Sequence, residues 1–285
     1  MTTVGMHGAG HMGAGLGWAL REGGARVVTT LAGRSARTRK MVADAGLEPL
    51  DSLDAVVAMA DVVLVVVPPG EARAAATALA EAAQRTGSRP LVADLNAIAP
   101  STVDEVARRL DGLDFVDGSI SGGPPTVTPG ARIYLSGDRA ADVAALPWRH
   151  VHPVLVPGRA GQASAVKMCT ASVYKGTTAL LTQALRAAAA NGVLDEVLAD
   201  LATGGFPEPA RRAVVGATKA ERYVPEMREI AATQADAGLT AALFEAYAEI
   251  WGLVAHGSLA ASDPETVDRA LPAAAVVAGI TPDAT

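Results

Sequence analysis

Two lysines, a threonine and a tyrosine stand close together in an otherwise small and apolar stretch, residues 161–191, GQASAVKMCTASVYKGTTALLTQALRAAAAN. The stretch holds no proline, and between positions 161 and 186 its only charged side chains are Lys167 and Lys175. It predicts one long helix, about 45 Å at 1.5 Å per residue. At about 100° per residue, Lys167, Thr170, Ala171, Tyr174, Thr178 and Leu181 share a stripe, with Lys175 roughly a quarter turn away. An amine, a hydroxyl and a phenol on one stripe are the groups of an acid–base site. Lysine is seldom fully buried without a partner, and apolar surroundings disfavour its charged form, lowering its pKa toward the range useful for proton transfer. The structural alternative is a core helix whose lysines snorkel to its ends. Cys169, the one cysteine, excludes an intramolecular disulfide and a cysteine-rich metal site; inside this stretch it reads as a small core residue.

A second group of residues lies at the start of the chain. A short apolar strand at 3–6 leads into Gly8-Ala9-Gly10-His11-Met12-Gly13, then a helix through Leu16, Trp18 and Leu20, and a second strand at 25–31. Glycines at this spacing between a strand and a helix, inside a βαβ unit, are a dinucleotide fingerprint. The first makes the tight turn, the second lets the backbone approach a pyrophosphate, and the third lets helix and strand pack closely. The second strand should end in an acid if the ribose 2′-hydroxyl of NAD is read there. It ends instead in Leu31-Ala32-Gly33-Arg34-Ser35-Ala36-Arg37-Thr38-Arg39-Lys40. Arginine matches phosphate in a planar fork, so Arg34, Ser35 and Arg37 predict the 2′-phosphate of NADP(H), with Arg39 and Lys40 as solvated charges.

The elements that hold these groups follow from the rest of the pattern. Helices are expected at 54–60, 71–85 and 101–110, and strands at 60–67, 91–95, 115–117, 132–137 and 150–156. Alternating strands and helices predict an α/β doubly wound sheet, with ligands at the carboxyl ends of its strands. Gly8 to Gly13, Val67 to Pro69, Asn96, and Ser119 to Gly123 fall at such ends. Beyond 161 the strand signals stop, and helices are expected at 195–203, 209–223, 226–237 and 240–260. A last short helix is expected to open at Asp263-Pro264-Glu265, and the tail beyond Pro272 carries little pattern. The expected division is a nucleotide-binding domain, 1–160, and an all-helical domain, 161–285, built on the long helix. Half of the 285 residues are hydrophobic and 4% aromatic, so the cores are aliphatic. A net charge of −6 and no basic stripe with interleaved aromatics exclude a nucleic-acid partner. No apolar run reaches about 18 residues and no signal-peptide layout opens the chain, so a cytoplasmic protein is expected.

These residues resemble the β-hydroxyacid dehydrogenase and 6-phosphogluconate dehydrogenase-like superfamily over nearly the whole chain. The resemblance rests on GAGHMG at 8–13, on Asp94-Leu95-Asn96 with Pro100, on Ile120-Ser121-Gly122-Gly123, and on Gly161 followed by Lys167. It implies Lys167 as catalytic acid/base, Ser121, Gly122 and Gly123 as substrate-binding residues, and Asn96 near the nicotinamide, with Val67 and Pro68 on the cofactor side. Thr170 and Ala171 replace the asparagine usual one turn after the lysine, and Arg228-Glu229 replace a lysine–aspartate pair, so the C-terminal part is more similar to a divergent subgroup. Thr170 and Tyr174 are the expected substrate contacts on the helix. The expected activity is an NADP(H)-dependent oxidoreductase of a small β-hydroxy acid or related carbonyl compound. The alternatives are an imine reductase on the same fold and an NADP-binding sensor without turnover. No metal is expected, and a homodimer through the helical domain is.

Overall fold

The computed structural model describes residues 1–282, and its chain divides into two compact units, Met1–Met168 and Cys169–Thr285. Strands β1 (Thr3–His7), β2 (Arg26–Thr30), β3 (Glu48–Leu50), β4 (Val62–Val65), β5 (Leu91–Asp94), β6 (Phe115–Ser121), β7 (Ala131–Ser136) and β8 (Val151–Leu155) form one sheet in the first unit. Their order is β3-β2-β1-β4-β5-β6-β7-β8, parallel throughout except for the antiparallel β6–β7 pair. Helices α1 (His11–Glu22), α2 (Ala36–Asp44), α3 (Leu53–Met59), α4 (Ala72–Thr86), α5 (Pro100–Arg109) and α6 (Ala140–Ala144) complete that unit. The order reverses between β1 and β4, and an open α/β sheet opens its ligand crevice at such a switch point.

A parallel sheet must be apolar on both faces because helices cover both. In β4, Val62 and Leu64 enter the core shared with Leu16 and Leu20 of α1, while Val63 and Val65 enter the core shared with Leu79 and Ala82 of α4. Alanines let the helices approach closely: α4 buries Ala72, Ala75, Ala76, Leu79, Ala82 and Ala83 on one helical stripe.

The long helix, α7, runs Gln162–Ala190. Helices α8 (Leu194–Thr203), α9 (Pro209–Ala217), α10 (Ala220–Asp236), α11 (Ala242–Val254) and α12 (Ala273–Ile280) follow it, and the described residues of the second unit contain no strand. Trp251 of α11 is its central side chain, fully buried and edge-on to Tyr223 of α10.

Several local expectations are corrected. The segment after β2 is not a loop of free cations, because Ser35 caps α2 by accepting from Thr38 N at 3.3 Å. Pro225 does not separate two helices: α10 runs through it, and the break lies at 218–219. Asp263 opens a turn rather than a helix, its carbonyl accepting from Thr266 N and Val267 N. The final helix starts at Ala273, in the tail that carries little pattern. Ser119 to Ser121 belong to β6 instead of a loop after it. Cys169 is exposed, not a core residue.

Candidate active site

The three glycines after β1 each meet a different steric demand. Gly8 has φ +98° and its absent Cβ would run into the carbonyl of Val66. A Cβ on Gly13 would run into the carbonyl of Gly8, whereas a Cβ on Gly10 would meet nothing within 4 Å. The first and third glycines therefore close the turn against β4 and α1, and the second leaves the backbone open to an incoming group. Gly10 is the N-cap of α1 and offers no side-chain cap. The first N–H groups of a helix lack internal acceptors, which makes the start of α1 the donor end of this turn. The His11 side chain is exposed, while that of Met12 packs on the core.

His7 ends β1, directly before Gly8, and its buried Nδ1 has no hydrogen-bond partner. Burial, with the positive charge of Arg34 adding to it, holds the imidazole down at about 4. Beyond β2, Arg39 donates to the carbonyls of Arg34 and Leu31, and Lys40 pairs with Asp44. Ser35 is committed to capping, Arg34 is half-buried and Arg37 is exposed.

Asn96 is 2% exposed and its side chain is occupied: Oδ1 accepts from Val67 N at 2.7 Å, and Nδ2 donates to Asp94 at 2.9 Å. It clips the ends of β4 and β5 together, so it positions Val67 and Pro68 rather than reaching out with its amide. Burial pushes the Asp94 carboxyl up to about 7, and the charge of Asp117 adds to the shift, against the hydrogen bonds from Asn96.

Asp117 fastens α7 to the sheet. Its Oδ2 accepts from Gly161 N at 2.9 Å, Ser164 N at 3.1 Å and Ser136 Oγ at 2.9 Å, and its Oδ1 from Ser164 Oγ at 2.6 Å. A carboxylate at a helix N-terminus also meets the positive end of the helix dipole. Ser136 Oγ accepts from Ala163 N, and Ser119 Oγ donates to the carbonyl of Ala163. Lys167, half-buried, stands one turn beyond the residues so held. Ser121, Gly122 and Gly123 follow Ser119 on the same strand and its exit, where Gly122 has φ +126° and no space for a side chain beside Ala131. Thus the glycine loop, the β4–β5 clip, the Ser121-Gly122-Gly123 segment and Lys167 all belong to the first unit. Thr170 and Tyr174 follow on α7 in the second unit; both are exposed, Tyr174 at 72%.

Asp117, Ser136 and Ser164 are absent from the expected site, and Ser119 is expected only as part of a strand-end loop. A signal for the aspartate is present, because FVDGSI puts a carboxylate inside an apolar strand where only a fully bonded one is tolerated.

Residues 3–156, more than half of the chain, match the family described as the NAD binding domain of 6-phosphogluconate dehydrogenase. The chain belongs to that family. Residues 188–254 match a Domain of unknown function (DUF1932). The conserved protein MTH1747, whose structure is described as similar to 3-hydroxyacid dehydrogenases, is 28% identical; the superposition covers 87% of this chain and 96% of that one, with a TM-score of 0.65. A Mycobacterium tuberculosis 3-hydroxyisobutyrate dehydrogenase with L-serine shares the fold at 24% identity and a TM-score of 0.69, over 93% and 97% of the two chains. A Streptomyces aurantiacus imine reductase shares it at 18% identity and 0.57, over 93% and 97%. An uncharacterized 28.5 kDa protein of Methanothermus fervidus is 25% identical over 60% of this chain, and the match spans 65% of that relative's length. The first unit is thus a nicotinamide-cofactor domain of the 6-phosphogluconate dehydrogenase type, on a fold used by oxidoreductases. No helix among the described residues is long and apolar enough to cross a membrane, and no group of three or more potential metal-ligating side chains is found there.

Proposed function

We propose that this chain is an NADP(H)-dependent oxidoreductase acting between a small β-hydroxy acid, or a related carbonyl compound, and the nicotinamide, with Lys167 as general acid/base. The observation that carries the reading is the fastening of α7 by Asp117. It fixes the turn bearing Lys167 to β6, the strand that ends in Ser121-Gly122-Gly123. The nicotinamide, when bound, supplies or accepts the hydride. The chain's own residues do the rest. Gly10 and the start of α1 take the pyrophosphate, and Arg34 with Arg37 takes the 2′-phosphate. Ser121 Oγ and the N–H groups of Gly122 and Gly123 hold the substrate's oxygen atoms. In reduction the Lys167 ammonium gives a proton to the carbonyl oxygen as the carbon gains hydride; in oxidation the neutral amine takes the hydroxyl proton.

Retention of Lys167 together with the Ser121-Gly122-Gly123 segment favours this reading over an imine reductase. The test is NADPH oxidation against a panel of short 3-oxo acids and a panel of cyclic imines. Turnover of the acids supports it, turnover of the imines alone replaces it with the second reading, and tight NADPH binding without any turnover replaces it with a sensor. We further propose a cytoplasmic homodimer in which the exposed face of α7 is covered by a second copy.

A further inference from the structure

The second unit contains an open cleft of about 360 Å³ whose chemistry the proposed reaction does not use. Arg211 and Arg212 of α9, and Arg269 from the segment before α12, line it, and the one acid on its wall is Glu208. Arg211 is taken by Glu208 at 2.9 Å. Neither Arg212 nor Arg269 has a carboxylate within ion-pair distance among the described residues, although Arg269 donates one hydrogen bond to the Pro264 carbonyl at 3.3 Å. Behind the wall, Arg222 shares Glu226 with Lys175. Burial holds the Lys219 ammonium below its ordinary range, and the charges of Arg222 and Arg269 push it the same way. Six cations thus gather around two acids, Glu208 and Glu226, an arrangement that costs self-repulsion in the empty protein and is relieved by a bound anion.

We infer that this cleft is a binding site for a small organic phosphate. Guanidinium forks pair with phosphate oxygens through two parallel hydrogen bonds, and a phosphate offers three strong acceptors, enough for both arginines that have no carboxylate partner. Val215 and the ring of Tyr223, also on the wall, give the carbon part of the ligand an apolar surface. Every lining residue belongs to the second unit, so the site is distinct from the glycine loop that takes the cofactor's pyrophosphate, and it stands whether or not the proposed reaction is correct.

The experiment is calorimetric titration of the full chain, wild type and R212Q/R269Q, with inorganic phosphate, n-propyl phosphate and malonate at matched ionic strength. The glycine loop is intact in both proteins, so their difference reads the cleft alone. The expected result is at least tenfold weaker binding of both phosphates to the variant, with n-propyl phosphate tighter than phosphate in the wild type and malonate at least tenfold weaker. The phosphate-free variant should melt no lower than the wild type, because a repulsion has been removed. Equal phosphate affinity in the two proteins overturns the site. Malonate binding as tightly as phosphate overturns the ligand class, and no gain from the propyl group overturns the role of Val215 and Tyr223. A variant that melts well below the wild type overturns the reading of these arginines as cations without a balancing carboxylate.

Discussion

Asp117 and Ser164, 47 residues apart in sequence, meet through both the hydroxyl and the amide of the serine, at 2.6 and 3.1 Å. One carboxylate within β6 thereby holds the first turn of α7. Asp117→Ala leaves Gly161 N, Ser164 N and two serine hydroxyls without their acceptor. The expected cost is about 3–5 kcal/mol, the range for breaking up a buried charged network, read from urea unfolding. Ser164→Ala, which removes one donor, should cost only about 1 kcal/mol. Equal costs would show that the carboxylate is not the centre of the network.

Arg34→Ala should weaken NADPH binding at least tenfold and leave NADH binding within twofold, measured by fluorescence titration of both cofactors. The loss corresponds to one charge-assisted phosphate contact of about 1.5–3 kcal/mol. Wild-type protein that binds NADH more tightly than NADPH would refute the cofactor assignment outright.

Lys167 and Lys175 should separate cleanly. Lys167→Met is expected to lower kcat by about 10²–10⁴, the usual contribution of a positioned acid or base, with cofactor affinity nearly unchanged. Lys175, half-buried, pairs with the buried Glu226 and lies over the Tyr223 ring at 5.1 Å. Lys175→Met should therefore destabilise the fold by up to about 3 kcal/mol, less than a fully orphaned buried charge costs, because Arg222 still reaches Glu226 at 3.2 Å. If Lys175→Met abolishes turnover in a folded protein while Lys167→Met leaves it intact, the proton donor has been misassigned.

How much of this was legible in advance differs by residue type. The glycine fingerprint, the alternation of strands and helices, and the span of α7 follow from local pattern, because each is set by backbone sterics or by an uninterrupted apolar period. The α2 helix was hidden because its arginines invite a charge-patch reading while its cap, Ser35, is a single hydroxyl. Pro225 misled in the opposite direction: tertiary packing of α10 on α11 outweighs the local penalty. The Asp117 network was out of reach because its members come from three separate segments, β6, β7 and the start of α7, and nothing local tells an aspartate in a strand which amides it will meet. Asn96 was placed at the right strand end, but its amide is spent on Val67 and Asp94.

The folded state leaves His7 unprotonated down to about pH 4, while the unfolded chain takes up a proton near its ordinary 6.5. Between those values the unfolded state binds more protons, so the His7 contribution to stability falls as pH falls through 6.5 toward 4. The loss is of order 1–3 kcal/mol at about 1.4 kcal/mol per unit of pKa difference. His7→Gln removes it, so unfolding midpoints should shift in favour of the variant between pH 7.5 and pH 4.5. A gap between the two proteins that stays constant over that interval rules out the neutral buried imidazole.

Val173 and Leu180 lie seven residues apart on one side of α7 and are 63% and 57% exposed. An apolar stripe of this kind calls for cover, and the proposed dimer supplies it. Val173→Asp with Leu180→Asp should turn a dimer into a monomer in sedimentation velocity at micromolar concentration. A wild-type monomer that retains full activity would dispose of the proposal.

The alanine-rich stripe of α4 has a consequence for how the sheet responds to change. Alanine has no side-chain rotamers to lose on folding and none to exchange afterwards. Where Ala75, Ala76, Ala82 and Ala83 are buried, the helix contributes only backbone and methyl groups, and Leu79 is the one side chain of the stripe with rotamers to take up slack. Added volume there has to be met by moving a whole helix. Variation among related chains should therefore gather at the outer rims and leave this seam of methyl groups almost untouched, a ruler built into the middle of the nucleotide-binding unit.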